Sequence, residues 1–350
     1  MARRSPAPSV DAARLLAVAD RFASRRVAVI GDLIADEFIY GRVERVSREA
    51  PVLILRYDTT IVVPGGAGNA ANNVAALGAR VRLAGLAGRD EPGRRMLDAL
   101  HERVARTQVI GPATYCTPVK TRILAGGVHS AKQQVVRIDR ITNGAPDGAL
   151  RRTFEARALA VCSRADAVLV SDYGSGLVTP ALVDRLRRSL WRSAEPRVPI
   201  LVDSRYAVQH YHGITACTPN ESEVEQILGV RIGDDLRALE AAGREMLRRT
   251  GMQALLVTRG GRGMALFEPD APTRHIPIFG SDEIADVTGA GDTVIATLTL
   301  ALAAGASFYE AARLANYAGG LVVMKRGTAT VSAEELRSAV QLRPVERDRN

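Results

Sequence analysis

The sequence predicts an α/β protein: a mainly parallel sheet covered by helices on both faces, with a small antiparallel β lid. Three observations lead there. Short apolar strands alternate with longer stretches of helical periodicity along almost the whole chain, the pattern of βαβ units. Two pairs of strand-like runs break this rhythm with no helix between their members. The composition, 47% apolar and 24% charged over 350 residues, is ordinary for a globular protein and excludes wholesale disorder or a fibrous repeat.

Residues 1–10 are polar, contain Pro6 and Pro8, and read as a loose tail. Asp11–Ala23 carries Leu15, Leu16, Val18, Ala19 and Phe22 at helical spacing. Arg26–Ile30 is a short buried strand ending in Gly31-Asp32. Val81–Leu86, Ala167–Ser171, Ile200–Asp203 and Ala254–Thr258 are further strands. Asn69–Leu77, Gly93–Glu102, Pro180–Arg192, Asp234–Thr250, Asp292–Ala304 and Phe308–Lys325 are helices. Phe38–Tyr40 with Val52–Tyr57, and Val119–Leu124 with Gln134–Asp139, alternate apolar and polar residues as in a sheet with one wet face. These give lid strands over about 33–60 and 115–140, a natural cover for a site. No linker or repeat divides residues 11–340, which read as one domain, with 341–350 as a C-terminal tail.

Only three of the 47 basic residues are lysines, Lys120, Lys132 and Lys325. The net charge of +9 suits an anionic substrate or a nucleic acid, and is equally that of a merely basic surface. Cys116, Cys162 and Cys217 form no CxxC pair, and His210-Tyr-His212 lacks partners at ligand spacing, so neither a disulfide framework nor a zinc site is indicated. The longest apolar run, Thr293–Ala306, is too short to span a bilayer, and the basic N-terminus is followed by no signal-peptide apolar core. The expectation is a soluble cytoplasmic protein with no membrane partner.

The strongest local motif is Asp286-Val-Thr-Gly-Ala-Gly-Asp292, running into an apolar helix. Gly289-Ala290-Gly291 offers a flexible backbone whose amides converge at a helix N-terminus, where unpaired N–H groups and the dipole suit a phosphate. Asp292 at that helix start either caps the helix or takes a proton from a hydroxyl attacking a phosphoryl group. A second motif, Pro64-Gly-Gly-Ala-Gly-Asn-Ala-Ala-Asn-Asn73, also enters a helix, and Asn69 can both donate to and accept from sugar hydroxyls. This stretch satisfies GxGxxA (Gly66, Gly68, Ala71), with Asp90 some twenty residues on, so a dinucleotide-binding oxidoreductase stays open. Pro64 and the poor preceding strand Thr60–Val63 weaken it. Asn220 and Glu223 read either as an N-cap with an acidic first turn or as holders of a water-bridged Mg²⁺. Thr258, Gly260 and Gly261 either line a nucleotide phosphate or form a tight hairpin. No GxxxxGK[ST], GxSxG or HExxH occurs, which excludes a P-loop enzyme and argues against common hydrolases.

Taken together, these pieces resemble the PfkB (ribokinase-like) family of carbohydrate kinases, from Val27–Asp32 to Lys325–Thr328. Within the family the chain is most similar to D-glycero-β-D-manno-heptose 7-phosphate kinases of lipopolysaccharide inner-core synthesis. The matching stretches are Arg45–Val52, Pro64–Val74, Ser171–Gly174 and Thr218–Glu223. Many such kinases are fused to an adenylyltransferase carrying HxGH. No such motif occurs here, and the resemblance implies a stand-alone kinase. Two stretches depart from the pattern: Ser175 stands where a lysine is usual, and Asp203-Ser-Arg205 replaces Asp-Pro-Lys.

The resemblance implies a ribokinase-like three-layer fold and ATP-dependent phosphorylation of the heptose phosphate at O1. Another sugar or nucleoside kinase of ribokinase or fructose-phosphate kinase type is the alternative. It implies Asp292 as base and the amides of Gly289, Ala290 and Gly291 as stabilisers of the transferring phosphoryl group. Asn220 and Glu223 would position Mg²⁺ through water, and Thr258, Gly260, Gly261 and Asn316 would flank the nucleotide. Asp32, Gly65, Gly66 and Asn69 would bind sugar hydroxyls. Lys120, Arg122, Lys132 and Arg137 are the candidates for the 7-phosphate, or else a solvated strand face. Asp286–Thr288 and Lys325–Thr328 resemble the monovalent-cation (K⁺) site of some relatives. A phosphosugar and ATP are the expected partners, with a lid-mediated homodimer and no nucleic acid.

Overall fold

The computed structural model describes residues 11–126, 132–141, 145–192, 196–280, 286–325 and 327–342. The tail expected over 1–10 lies outside them, as does 343–350 of the C-terminal one. Helix α1 (Ala12–Ala19) is capped by the Asp11 carboxylate and leads to strand β1 (Arg26–Gly31). Two strands of 14 residues each follow, β2 (Leu33–Val46) and β3 (Leu53–Gly66). Next come α2 (Ala67–Ala76), β4 (Arg80–Ala84), α3 (Glu91–Asp98) and the short β5 (Val104–Ala105). Strands β6 (Val119–Gly126) and β7 (Gln133–Arg140) precede α4 (Gly148–Cys162), β8 (Ala167–Asp172), α5 (Pro180–Trp191), β9 (Ile200–Ser204) and β10 (Ala216–Cys217). The chain continues through α6 (Glu221–Leu228), α7 (Leu236–Thr250), β11 (Ala254–Thr258), β12 (Met264–Phe267) and β13 (Arg274–Ile276). It closes with α8 (Ala290–Ala303), α9 (Phe308–Val323) and α10 (Ala333–Leu342).

Nine strands form one sheet in the order β13-β12-β11-β10-β9-β8-β1-β4-β5, parallel except where β12 pairs with β11 and β13. Along β1, Val27 and Val29 face one layer, built from α1, α2, α8, α9 and α10, whereas Ala28 and Ile30 face α4, α5, α6 and α7. This period of two, with both faces apolar, is why β1 reads as a continuous hydrophobic run. The lid is a second, four-stranded sheet in the order β3-β2-β6-β7. It consists of two antiparallel hairpins whose inner strands, β2 and β6, run parallel from Ala35↔Val119 to Arg42↔Gly126.

Several elements depart from the sequence expectation. Thr60–Val63, a poor strand by pattern, is the inner part of β3, which runs on into Gly65-Gly66. Its partner is β2 of the lid and not a parallel strand of the main sheet, so the GxGxxA stretch is outside any βαβ dinucleotide unit. Asp90 caps α3, accepting from the Gly93 amide and from the Thr117 amide and hydroxyl at 2.6–3.0 Å, which leaves the oxidoreductase reading without its acidic residue. Helix α4 escaped notice because its buried stripe (Phe154, Ala158, Val161, Cys162) is diluted by arginines on the outer face. No helix among the described residues is long and apolar enough to cross a membrane.

Candidate active site

Strands β8, β9, β10 and β11 end at the floor of a cavity of about 640 Å³, where open α/β sheets place their ligands. Asp172, Asp203, Thr218 and Thr258 line the floor. The first turn of α8 lines one wall, and Asp36, Lys120, Arg122 and Arg137 line the roof from the lid.

Asp292 lies buried in the first turn of α8, three positions after the N-cap Gly289, whose φ of 78° only glycine adopts readily. Its carboxylate reaches away from its own helix. Oδ2 accepts from Asn69 Nδ2 at 2.6 Å and Oδ1 from the Tyr173 hydroxyl at 3.4 Å. Asp292 is therefore directed across the cavity instead of onto the helix end. Burial pushes its pKa up to about 6; the nearby Asp36 charge adds to this, while the bonds from Asn69 and Tyr173 and the charge of Lys120 oppose it. Gly289, Ala290 and Gly291 all line the cavity, but the Ala290 amide already donates to Val287 O at 3.2 Å.

Small residues let α2 approach α8 closely: Ala67, Gly68, Ala70 and Ala71 are all buried. Two asparagines face α8 from this surface. Besides Asn69, Asn73 donates to Asn69 Oδ1 at 3.1 Å and accepts the Thr293 hydroxyl at 2.8 Å. A Cβ on Gly289 would stand 2.8 Å from Asn69 Nδ2, so this approach also needs glycine there.

At the roof, Arg122 Nη1 meets Asp36 Oδ1 at 2.6 Å, both side chains largely buried. A Cβ on Gly65 would sit 2.4 Å from Asp36 Oδ2, so Gly65 makes room for that carboxylate, and Gly66 lines the cavity beside it. Lys120 Nζ stands 4.4 Å over the Tyr173 ring, and burial lowers its pKa. Arg137 grips Asp139 with two bonds of 2.6–2.7 Å and lines the cavity, as does Arg205. Asp32, Gly65, Asn69, Lys132 and Gly261, all expected at the site, do not line the cavity. Lys132 pairs with Asp58 at 2.7 Å on the lid and does not line the cavity. The Asp32 carboxylate is buried in the turn after β8, accepting from the Tyr173 amide and from the Ser175 amide and hydroxyl. Asp36, at the lid root, is the carboxylate that faces the cavity from this segment. An acid inside the buried run Leu33–Phe38 was the available signal.

On the other side, Asn220 and Glu223 form a reciprocal capping box on α6, each bond 2.9 Å, and both also line the cavity. Thr258 and Gly260 line it at the start of the β11–β12 turn; Gly261, in the same turn, does not. Glu221 ties this turn to α6 through Arg259 at 2.8 Å and Arg262 at 2.6 Å. Asn316 lines the cavity and donates to Pro277 O. Asp203, absent from the sequence candidates, is half-buried at the end of β9. Burial and then the charges of Asp292, Glu223 and Asp172 raise its pKa, and burial raises that of Glu223.

Two carboxylates raised by burial and facing one cavity fit a hard cation held through water and phosphate oxygens. Among the described residues no cluster of three or more metal-ligating side chains would cage an ion on its own. Asp286 accepts from the Thr288 and Gly327 amides at 2.9 and 3.0 Å, drawing together the two segments expected around a monovalent cation; Arg326 lies outside the described residues. Thr328 Oγ1 is buried without a partner among the described residues, as a cation site would leave it.

A helix N-terminus with a glycine-rich approach, a buried aspartate in its first turn and a lid bearing cations define a kinase of ribokinase-like architecture. The fold is shared with Arabidopsis thaliana ribokinase complexed with ribose and ATP (TM-score 0.69, 18% identity, 91% of this chain and 99% of that one). It is shared equally with Escherichia coli phosphofructokinase-2 in complex with fructose-6-phosphate (TM-score 0.68, 17% identity, 91% and 99%). The chain belongs to the pfkB family of carbohydrate kinases, whose family model matches residues 24–336. It is 42% identical over 320 residues to the bifunctional protein HldE of Caulobacter vibrioides, covering 90% of this chain and 63% of that protein. It is 38% identical over 335 residues to the HldE of Pelobacter propionicus, covering 95% and 67%. The chain thus spans about two thirds of the length of these relatives.

Proposed function

We propose that this carbohydrate kinase transfers the γ-phosphoryl group of ATP to O1 of D-glycero-β-D-manno-heptose 7-phosphate, giving the 1,7-bisphosphate for ADP-heptose synthesis. The carrying observation is one cavity that holds Asp292 at the α8 N-terminus together with Lys120, Arg122, Arg137 and Arg205. A second phosphate on the substrate gives these cations an occupant that an unphosphorylated sugar would not. The similarity to the HldE proteins and the stretches shared with heptose 7-phosphate kinases support the same substrate.

In this reading Asp292 takes the proton of the 1-hydroxyl as its oxygen forms the bond to the γ-phosphorus and the bond to the ADP oxygen breaks. The α8 amides at 289 and 291 face the charge that develops on the phosphoryl oxygens. Asp36 accepts from sugar hydroxyls, selecting sugars that match it, while Asn69, engaged with Asp292 and Asn73, acts on the sugar through the base. Thr258, Gly260 and Asn316 flank the nucleotide. Asn220, Glu223 and Asp203 would hold, through water, Mg²⁺ that would supply charge neutralisation for the transferred phosphate, and the segment around Asp286 and Thr328 would hold K⁺. The protein acts in the cytoplasm, without nucleic acid. It forms a homodimer through the lid, where β7 is exposed along its whole length with Val135, Val136 and Ile138 turned out.

The test is an ADP-release assay with ATP, Mg²⁺ and a panel of D-glycero-D-manno-heptose 7-phosphate, sedoheptulose 7-phosphate, fructose 6-phosphate, ribose and adenosine. Turnover confined to the manno-heptose phosphate is expected. Preference for ribose or adenosine would discard the phosphate role of the lid cations.

A further inference from the structure

We propose that Tyr173 is the positioning residue of Asp292, fixing which carboxylate oxygen takes the proton; this rests on Asp292 being the base. A general base needs one lone pair held on the hydroxyl it deprotonates, and a carboxylate free to rotate offers none reliably. Here two donors from different elements hold the two oxygens. Asn69 binds Oδ2 at 2.6 Å, while the Tyr173 hydroxyl touches Oδ1 at 3.4 Å. The short bond engages Oδ2 fully, and the longer one leaves Oδ1 the less tightly held oxygen, the one we assign to the substrate.

Tyr173 is itself held with unusual care. Its amide donates to Asp32 Oδ2 at 2.8 Å, and the next amide donates to Asp172 Oδ1 at 3.0 Å. Asp172 in turn accepts from Ser204 and Tyr211, each at 2.7 Å. Two buried carboxylates therefore clamp the turn from both sides, which gives Asp32 a role although its side chain does not line the cavity. The Tyr173 ring lies under Lys120, linking the base to the cationic side of the cavity. Ser175 supplies the hydroxyl that closes this clamp on Asp32.

The test compares Tyr173→Phe and 3-fluorotyrosine at position 173 with the parent enzyme, using the panel sugar that turns over fastest. Tyr173→Phe should lower kcat about tenfold with KM for sugar and ATP within twofold. It should also move the acid limb of kcat/KM to higher pH, because the carboxylate loses a donor to its charged form. Fluorotyrosine, isosteric and a stronger donor, should move the limb the other way. Asp36, Lys120 and Asp203, which also face Asp292, are the same in all three proteins, so the differences report the phenol. A limb that stays in place in both proteins overturns the proposal, whatever happens to kcat. If Tyr173→Phe does not fold, the fluorotyrosine enzyme alone decides by the same criterion. Full turnover by Asp292→Asn would instead overturn the base assignment, a separate failure.

Discussion

Asn69 Nδ2 donates to Asp292 Oδ2 across 2.6 Å, joining two residues 223 positions apart in the chain. The orientation of that amide is fixed from behind, because Asn69 Oδ1 accepts from Asn73, whose own oxygen accepts from Thr293. The relay begins and ends on α8, so α2 holds the base and the helix that bears it as one unit.

Asn69→Ala removes the donor to Asp292 and one of the two acceptors of the buried Asn73 amide, which keeps its bond to the carbonyl of residue 69. The expected cost is about 1–3 kcal/mol of stability, read as a lower midpoint in denaturant. Turnover should fall, and the acid limb of the pH–rate profile should move to higher pH. An unchanged limb would mean that the asparagine does not act on the base.

The base role proposed for Asp292 requires the deprotonated carboxylate, and its pKa is raised to about 6. The rate should therefore be lost as pH falls through about 6, where an ordinary aspartate would stay active to about 4. Because the raised value lies in the folded state, stability from this group runs oppositely, present at low pH and lost as pH rises. Asp292→Asn should accordingly lower kcat by about 10²–10⁴-fold, leave ATP affinity near the parent's, and raise the melting temperature at pH 8. Calorimetry and single-turnover assays on one preparation check all three.

The lid cations should separate. Lys120→Met and Arg137→Met are expected to raise KM for the phosphosugar about tenfold or more with smaller effects on ATP. Lys132→Met should leave KM within twofold, because its partner is Asp58. Arg122→Met combines a KM effect with lost stability, since it leaves Asp36 unpaired in a largely buried pair. Equal KM effects at 120 and 132 would contradict this division.

Glu221 is buried against Arg259, and replacing it strips that guanidinium of its counter-charge. Glu221→Ala should cost roughly 3 kcal/mol of stability and loosen the Thr258–Gly263 turn. KM for ATP should rise while KM for sugar stays put, as steady-state kinetics with either substrate varied will show.

The alternation of strands and helices and the glycine-rich motifs were legible because they depend on local pattern, and the cavity gathers Asp292, Gly66, Asn220, Glu223, Thr258 and Asn316 from that reading. What pattern could not supply is direction. Asp32 and Asp36 lie four residues apart on either side of the strand start, and only the three-dimensional path of β2 turns Asp36 to the cavity and Asp32 into the turn at Tyr173. Asp203 and Tyr173 were missed for the same reason: each gains its meaning from neighbours distant in sequence. Lys132 failed differently, because strand alternation cannot reveal that Asp58 lies next to it.

The lid hairpin outlasts its support. Among the described residues, strand β6 pairs with β2 as far as Arg42↔Gly126, and β2 and β3 pair with each other on toward the turn near Ser47–Val52. A two-stranded ribbon of this kind is a cantilever, and the β2–β3 ladder shifts register at Tyr40/Gly41, beside β6, and again at Val43/Arg45, beyond the described β6 pairing, which is where it yields. Bending at the free end is absorbed outboard of Ile39. The root, where Asp36 faces Gly65, keeps an unbroken ladder and is mechanically insulated from whatever touches the tip.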